Sequence, residues 1–475
     1  MRRPCARQQP RWRALLISVC LLLLAPTVHA LDLWTAWHYA LQHNPSYAAA
    51  QASSAADQHL IAQARAELLP QIHANAGLEH QDRRNLRDFG HRQGVYNNLW
   101  ALSLTQPLFN RQNLQLYEHA QLLAAMAVID EQNSRTTLML QVSEAYFDSL
   151  MANATLRSLL AEREAVKKQY EAAVRAFELG SATITDAQEA RSRFDLLQAQ
   201  IINAENDLQQ RFFALEKIMG KPPFELAPLK KQVQLPQPEP NDPRQWQHRA
   251  AEHNLQVHKA DLSVQAQQAM LASSKSLHDP TISLQARTGS QRRPGGFGAT
   301  PTHRPLDSSI GIELSIPLYT GGGISARVKE ESERLRQRHF EREEKRRTAV
   351  EQAQRYFSAV TSGLLEIRSL EAAEQSSRSA LQANQRAYEI GVRTLVDVLN
   401  AQRQLYDTQR SLDHSRYRVL LDGLRLKDAA GLLTEEDLWA VNQLLDIDDR
   451  DNAIGLSVAS TIHEGSLSHP PAPTP

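Results

Sequence analysis

The stretch YEIGVRTLVD at residues 388–397 repeats the pattern of FELGSATITD at residues 177–186, which lies 211 positions earlier in the chain. Both stretches place an aromatic residue, a Glu, an aliphatic residue and a Gly ahead of a Thr and an Asp. Gly220 and Gly431 keep the same spacing. A constant offset over so long a stretch indicates that the chain contains an internal duplication.

The duplication sets the domain organisation. We interpret residues 31–220 and residues 245–445 as two copies of one unit. The linker between them, residues 221–244, holds seven prolines and therefore cannot form a continuous helix. Residues 446–475 end in Ser-His-Pro-Pro-Ala-Pro-Thr-Pro, and we predict a disordered tail there.

Each unit has the pattern of a helix, a β-hairpin, a very long helix, a tight turn and a further helix. Residues 110–178 contain neither Gly nor Pro, and a continuous helix over this span would be ~100 Å long. Residues 324–390 repeat the pattern with one Gly in the interior. Gly180 and Gly391 follow these segments and are typical of helix C-termini, where Gly adopts a left-handed conformation at little cost.

The helices that follow the turns show a heptad pattern. Taking every seventh residue in the second unit gives Val398, Leu405, Leu412, Val419 and Leu426. The first unit gives Ala187, Phe194, Ile201, Leu208 and Leu215 in the same register. A sustained period of seven makes packed helices supercoil around each other, so we predict coiled coils.

Four segments alternate between apolar and polar residues, at about 70–80, 97–108, 280–290 and 307–318. In the last of them the apolar positions are Ile310, Ile312, Leu314, Ile316 and Leu318. Strands of ~10 residues suit an outer-membrane crossing, although a sheet that covers a soluble core uses the same alternation. Open sheet edges favour closure into a barrel. Four strands are too few to close a barrel, so the membrane interpretation requires several chains.

The first thirty residues have the pattern of a secretory signal peptide. A basic stretch ends at Arg13, a largely apolar run follows at residues 14–25, and a small residue, Ala30, ends the segment. This order of basic, apolar and cleavage regions directs export. We therefore expect residues 1–30 to be removed and the exported chain to begin near Leu31.

Composition excludes several classes of protein. The chain has 53 Lys and Arg residues against 53 Asp and Glu residues, so no basic excess favours nucleic-acid binding. Cys5 and Cys20 both lie in the signal segment, which leaves the rest of the chain without disulfides, thiolate metal sites or a Cys nucleophile. No apolar run reaches the ~20 residues of a membrane helix. No motif places catalytic groups together, so we expect neither an enzyme nor a cofactor.

The stretch at residues 388–399, with residues 424–431 and 435–438, strongly resembles the TolC family of outer-membrane channels. This resemblance implies a mainly α fold with β-hairpins, in which three chains build a twelve-stranded outer-membrane β-barrel continuous with a twelve-helix periplasmic α-barrel. Family members are exit ducts of tripartite efflux pumps and type I protein-secretion systems in Gram-negative bacteria. They work with a periplasmic adaptor protein and an inner-membrane ABC or proton-driven transporter.

The resemblance also implies roles for residues near the helical turns. Tyr388 and Arg393 match side chains that hold the coils of the closed channel together, and Asp186 matches their acidic partner. A plainer interpretation is that these three are ordinary polar residues at helix ends, where the helix dipole favours acids in the first turn.

Two further positions match the periplasmic constriction. Asp397 matches one of two acidic rings, whereas Asn400 stands where the second acid is expected, which leaves the charge of the second ring in doubt. The turns around Gly180 and Gly391 are the expected contacts for the adaptor.

A second class of function fits the same helices. A periplasmic coiled-coil adaptor or scaffold protein would also have long heptad helices, and its hairpins would form a soluble sheet. An outer-membrane channel should fractionate with the outer membrane as a stable trimer, whereas an adaptor should be soluble or bound to the inner membrane.

Overall fold

The computed structural model describes residues 30–84, 92–223, 225–230, 233–291 and 306–446. Almost all of the predicted signal peptide, and the tail beyond residue 446, lie outside these ranges. Within them the fold is mainly helical with two β-hairpins, and the prediction of this fold class is confirmed. No helix of the described part is both long enough and apolar enough to cross a membrane.

The first unit contains four helices and one hairpin. Helices α1 and α2 precede the hairpin strands β1 and β2, and helices α3 and α4 follow them. Their bounds are Leu33–His43 (α1), Pro45–Ala66 (α2), Gln71–Arg84 (β1), Arg92–Phe109 (β2), Arg111–Glu178 (α3) and Ile184–Met219 (α4). Helix α3 has 68 residues and is therefore ~100 Å long, because no residue inside it interrupts the backbone hydrogen bonds.

The second unit repeats this order and adds a short helix at its end. The bounds are Pro243–His253 (α5), Leu255–Lys275 (α6), Thr281–Gln291 (β3), Leu306–Ser315 (β4), Gly323–Glu389 (α7), Leu395–Ala429 (α8) and Glu435–Asn442 (α9), with a 3-10 turn at Ser276–His278. Helix α7 has 67 residues and tolerates its single interior glycine. Strand β4 ends at Ser315, three residues before the predicted end, because Pro317 has no N–H for a strand ladder.

The four strands form one antiparallel sheet in the order β1-β2-β3-β4. Ile72 opposes Leu104, Leu104 opposes Ala286, and Leu284 opposes Ile312. Directly opposed residues share a face of an antiparallel sheet. The apolar positions of all four strands therefore lie on one side.

The apolar side of the sheet is exposed in the single chain. Ile310 is 76% exposed, Ile312 is 70% exposed and Ile72 is 63% exposed. Monomeric soluble proteins rarely leave so large a contiguous apolar patch in water. The opposite side carries polar residues such as Ser283 and Glu313, which oppose each other.

The long helices pack side by side in a row. The two ends of this row have no neighbour within the described part of the chain, and they lie on the same sides as the two edge strands of the sheet. Next to the sheet, the order of neighbours is α2, α3, α6 and α7. Farther from the sheet it is α4, α3, α8 and α7. The outermost elements are thus β1, α2 and α4 on one flank, and β4 and α7 on the other.

The two units meet at mid-height in a packed region that we call the central belt, formed by α1, α9, linker residues 225–230 and the adjoining parts of α3 and α8. Its core contains the fully buried Trp37, Tyr146 and Phe147. The Tyr146 hydroxyl lies 3.0 Å from the carbonyl oxygen of Leu31 and 2.9 Å from that of Ala227. This belt ties Leu31, at the start of the first unit, to the linker and to both repeats.

Helix α8 buries its heptad positions as the sequence predicts. Val398, Leu405, Leu412, Val419 and Leu426 are all buried. They pack between α7 and α3, so the 3.5-residue period keeps one apolar seam facing the neighbouring helices.

Candidate functional site

Two tight turns lie at the ends of the long helices, between α3 and α4 and between α7 and α8. Gly180 has φ +70° and Gly391 has φ +75°, and both turns close with a hydrogen bond to the last turn of the preceding helix. The left-handed backbone explains why glycine stands at both positions. A Cβ atom at either glycine would meet no heavy atom within 4 Å, so both turns are open to a partner.

A capping box starts the helix after each turn. The Asp186 carboxylate accepts from the Thr183 hydroxyl at 2.8 Å, and the Asp397 carboxylate accepts from the Thr394 hydroxyl at 2.9 Å. The Thr394 backbone N–H also donates to Asp397 at 3.0 Å. These bonds satisfy N–H groups that a helix start leaves free.

The capping box also controls the charge of Asp397. The Thr394 backbone N–H, the Thr394 hydroxyl and the Arg393 guanidinium lower the pKa of Asp397 below its ordinary value. Each of these groups favours the ionised carboxylate. Asp397 therefore stays negative at any pH where an ordinary aspartate is ionised.

The expected coil-locking residues are placed in two separate contacts. Tyr388 packs against the apolar seam that contains Leu395 and Leu399. Burial, and then the nearby carboxylate of Asp186, raise the pKa of the Tyr388 hydroxyl. The charge of Asp186 thus acts on Tyr388, whereas the Arg393 guanidinium lies 3.9 Å from Asp397 in its own turn.

Asn400 points toward α4. Its side-chain oxygen accepts a hydrogen bond of 3.0 Å from the Arg193 guanidinium. The residue at the expected second ring position therefore bridges α8 and α4 within this chain.

The sequence reasoning did not identify a polar layer that lies between the two helix pairs, above the turns. We define this polar layer as Glu162 and Gln169 on α3, Arg193 on α4, and Gln402 and Arg410 on α8. The Glu162 carboxylate lies 3.1 Å from the Arg410 guanidinium, with side chains only 4% and 18% exposed. The Gln169 amide donates to the Gln402 oxygen at 2.6 Å.

The polar layer has a recognisable sequence signal. On α3, Leu159, Glu162, Val166, Gln169 and Ala173 follow one another in alternating steps of three and four, as the core positions of a coiled coil do. Glu162 and Gln169 are thus polar residues at positions that are usually apolar. Polar side chains at such core positions specify register at a cost in stability.

Burial raises the pKa of Glu162, and the hydrogen bond and positive charge of Arg410 oppose that rise. We therefore expect Arg410→Ala to destabilise the purified protein at pH 7 by about 3 kcal/mol, because it leaves a buried carboxylate unpaired. Because the pKa of Glu162 is raised, lowering the pH protonates this carboxylate and removes the cost of a buried unpaired charge. The stability lost in Arg410→Ala should therefore be smaller at pH 5 than at pH 7. Thermal unfolding followed by circular dichroism at both pH values measures this.

The matched control for this prediction is Arg403→Ala on the same helix. Arg403 pairs with Asp407 at 3.5 Å, and both side chains are about half exposed. Arg403→Ala should lower the free energy of unfolding by less than about 1 kcal/mol at either pH. Adding Glu162→Gln to Arg410→Ala should restore much of the stability. Equal losses for Arg410→Ala and Arg403→Ala would contradict the buried pair.

Within the part of the chain that the structure describes, no group of three or more His, Cys, Asp or Glu side chains is placed to hold a metal ion. The features that stand out are the two open turns, the charged and polar groups beside them, and the exposed apolar side of the sheet.

Comparisons with known proteins agree with this architecture. The sequence model of the outer membrane efflux protein family matches residues 37–221 and 246–432. The alkaline protease secretion protein AprF of Pseudomonas aeruginosa is 29% identical over 90% of this chain and 90% of its own length. The outer membrane protein TolC of Vibrio cholerae is 29% identical over 90% of this chain and 97% of its own length.

A solved structure has the same fold. The outer membrane protein VceC of Vibrio cholerae matches with a TM-score of 0.72 and 20% identity, over 84% of this chain and 96% of that chain.

Proposed function

Because this chain belongs to the outer membrane efflux protein family, we propose that it is an outer-membrane channel that extends into the periplasm and serves as the exit duct of an efflux or type I secretion system. The description of the family supports the efflux route, and the name of AprF, a protease secretion protein, supports the secretion route. The family consists of transport proteins, and we infer that this chain carries substrate without catalysing a reaction.

The observation that carries the proposal is the exposed apolar side of the four-stranded sheet. An outer-membrane strand is apolar toward lipid and polar toward the lumen, and the register gives this sheet the same two-sided character. The polar residues on the other side would then line the barrel interior.

The open flanks support a homotrimer. The β4 and α7 flank of one copy can pair with the β1, α2 and α4 flank of the next, which is a head-to-tail contact that generates a ring. Three copies supply twelve strands and twelve helices at each level. The resulting barrel has no free sheet edge.

The two turns would then face the periplasm and bind a periplasmic adaptor, which connects the channel to an inner-membrane ABC or proton-driven transporter. Both turns are open and glycine-containing, which suits the approach of a helical hairpin. The alternative, a soluble periplasmic adaptor or scaffold, is not favoured, because the chain belongs to a family of outer-membrane channels.

The constriction would lie at the α7–α8 turns. We propose that three copies of Asp397 form a negative ring there, while Asn400 contributes no charge. Tyr388, Asp186 and Arg393 would hold the coils in the closed state.

Single-channel recording in planar bilayers tests the proposed function and the constriction together. The purified wild-type trimer should conduct, prefer cations and be blocked by divalent cations. Asp397→Asn should raise the blocking concentration by about tenfold or more, since a confined charge ring concentrates counter-ions. Asn keeps an acceptor oxygen for Thr394, so the helix cap remains and the change removes only the charge.

The pH dependence follows from the lowered pKa of Asp397. The ring should stay charged, and block should persist, until the pH falls below the ordinary aspartate range. The double change of Tyr388→Phe and Arg393→Ser should raise the resting conductance. Block that is unchanged in Asp397→Asn would remove Asp397 from the constriction, and a protein that forms no channel would contradict the proposed function.

A further inference from the structure

The internal repeat relates the long helices of the two units residue by residue. Residues 155–159 read TLRSL and residues 366–370 read EIRSL, so the offset of 211 found at the turns already holds within α3 and α7. Helices α4 and α8 share this offset. Each residue between 155 and 220 therefore has an equivalent between 366 and 431.

The two units of one chain pack together through α3 and α8, at the centre of the row α4, α3, α8 and α7. Glu162 contacts Arg410 and Gln169 contacts Gln402, so the two helices run antiparallel. The repeat makes α7 the equivalent of α3, and α4 the equivalent of α8. Helices α4 and α7 lie on opposite flanks of the row, so their equivalent contact can form only with a second copy of the chain.

One side of α8 is buried against the first unit, whereas the equivalent side of α4 is exposed. Leu395 is 3% exposed in an apolar cluster with residues of α3 and α4, and its equivalent Ile184 is 50% exposed. Gln402 is buried, and its equivalent Arg191 is exposed. We call the exposed side the α4 stripe, and it contains Ile184, Arg191, Asp195, Ala199, Ile202 and Phe213.

The α4 stripe has the character of a contact surface. Ile202 and Phe213 are each 57% exposed, although the opposite side of α4 already buries Leu197 and Leu208 within the chain. A helix that is apolar on two sides is expected to have neighbours on both. The flanks of the chain provide one such neighbour, α7 of a second copy.

The repeat also shows how this contact differs from the one inside the chain. The equivalents of Arg410 and Glu162, which form the buried ion pair of the polar layer, are Ala199 and Ala373. Ala199 is exposed and Ala373 is half-buried in the single chain. Two alanines at the equivalent positions leave no buried charge to be paired.

We propose that the α4 stripe packs against α7 of a second copy in the way that α8 packs against α3 within the chain, with Ala199 opposite Ala373 of the second copy. This contact rests on the proposed homotrimer, whose copies it joins head to tail. The polar layer would then be present inside each chain and absent between chains, where apolar side chains of the α4 stripe provide the contact.

Cross-linking tests the contact, because residues 31–475 contain no cysteine. Two double variants carry cysteines at equivalent partners, Ala199→Cys with Ala373→Cys, and Arg191→Cys with Ala380→Cys. Two controls exchange the partners, Ala199→Cys with Ala380→Cys, and Arg191→Cys with Ala373→Cys. The exchange displaces the cysteines by ~10–12 Å along the helices.

The purified proteins are treated with a short bifunctional methanethiosulfonate and separated on a denaturing gel without reductant. The two matched variants should run mostly as covalent dimers and trimers, whereas the exchanged variants should remain almost entirely monomeric. All four cysteine positions occur in both sets, so a difference in thiol reactivity cannot produce this pattern.

A charge-rescue series tests the same contact without cysteine. Ala199→Arg should reduce the amount of heat-stable trimer several-fold, because it buries an unpaired charge between copies. Adding Ala373→Glu should restore most of the trimer, since it recreates the pair of Arg410 and Glu162. Gln200→Arg is the matched control, because Gln200 and its equivalent Ser411 are both exposed.

Trimer mass and single-channel conductance are recorded on the same samples. A conducting trimer that gives equal product from matched and exchanged cysteine pairs would overturn this contact and leave the proposed channel intact. Loss of trimer in Ala199→Arg without rescue by Ala373→Glu would also contradict the pairing. A wild-type protein that stays monomeric and does not conduct would overturn both the contact and the proposed function.

Discussion

Leu284→Arg should prevent stable assembly, whereas Ser283→Arg, one residue earlier in the same strand, should be tolerated. Leu284 opposes Ile312 on the apolar side of the sheet, and Ser283 opposes Glu313 on the polar side. In a barrel, Leu284→Arg places a cation in the lipid at a cost of ~2–4 kcal/mol per chain near the bilayer midplane. Ser283→Arg places it in the lumen beside a carboxylate.

The expected measurement is the amount of heat-sensitive trimer in isolated outer membranes. Leu284→Arg should reduce it to a small fraction of the wild-type amount, and Ser283→Arg should leave it near that amount. A second pair, Ile312→Arg and Ser315→Arg on β4, should behave in the same way. Equal effects on both sides of the sheet would contradict the lipid-facing assignment.

Gly391→Trp should abolish export while it leaves the trimer and its membrane insertion intact. Gly391 is in an open turn where a side chain would meet no atom of its own chain. A bulky indole there would block the approach of an adaptor helical hairpin. The measurement is export of substrate by cells that contain the adaptor and transporter, with the trimer quantified in the same membranes.

Gly391→Ala is the matched control, because both substitutions force a side chain into the left-handed backbone at φ +75°. That conformation costs a non-glycine residue ~1–2 kcal/mol. Export should survive in Gly391→Ala if bulk is the cause of the defect. Loss of export in both variants, or loss that parallels loss of trimer, would place the adaptor contact elsewhere.

The hairpins and the long helices could be predicted from the sequence because their signals are local. Alternation in period two follows from side chains that point to opposite faces of a strand, and the heptads follow from the turn of a helix. The turn at Gly391 could also be predicted from the sequence, since a left-handed residue after a long helix favours glycine. Each of these patterns depends on residues within a few positions of one another.

The contact partners of the site residues could not be predicted from such local patterns. Asn400 faces Arg193, which lies 207 positions earlier in the chain, and this contact depends on how the two helices are rotated and staggered. Glu162 and Arg410 are 248 positions apart in the chain. The position of Glu162 among the apolar core positions of α3 indicates that it is buried, but it does not identify Arg410 as the partner.

The sequence by itself determined the duplication, the type of each element and the two-sided character of every strand. These properties arise from backbone periodicity, which every segment carries on its own. Only the tertiary structure decided that all four apolar strand faces lie on one side and that the polar layer joins α3, α4 and α8. The physical reason is that strand register and helix stagger are fixed by the packing of distant segments against each other, where a shift of one residue exchanges every partner.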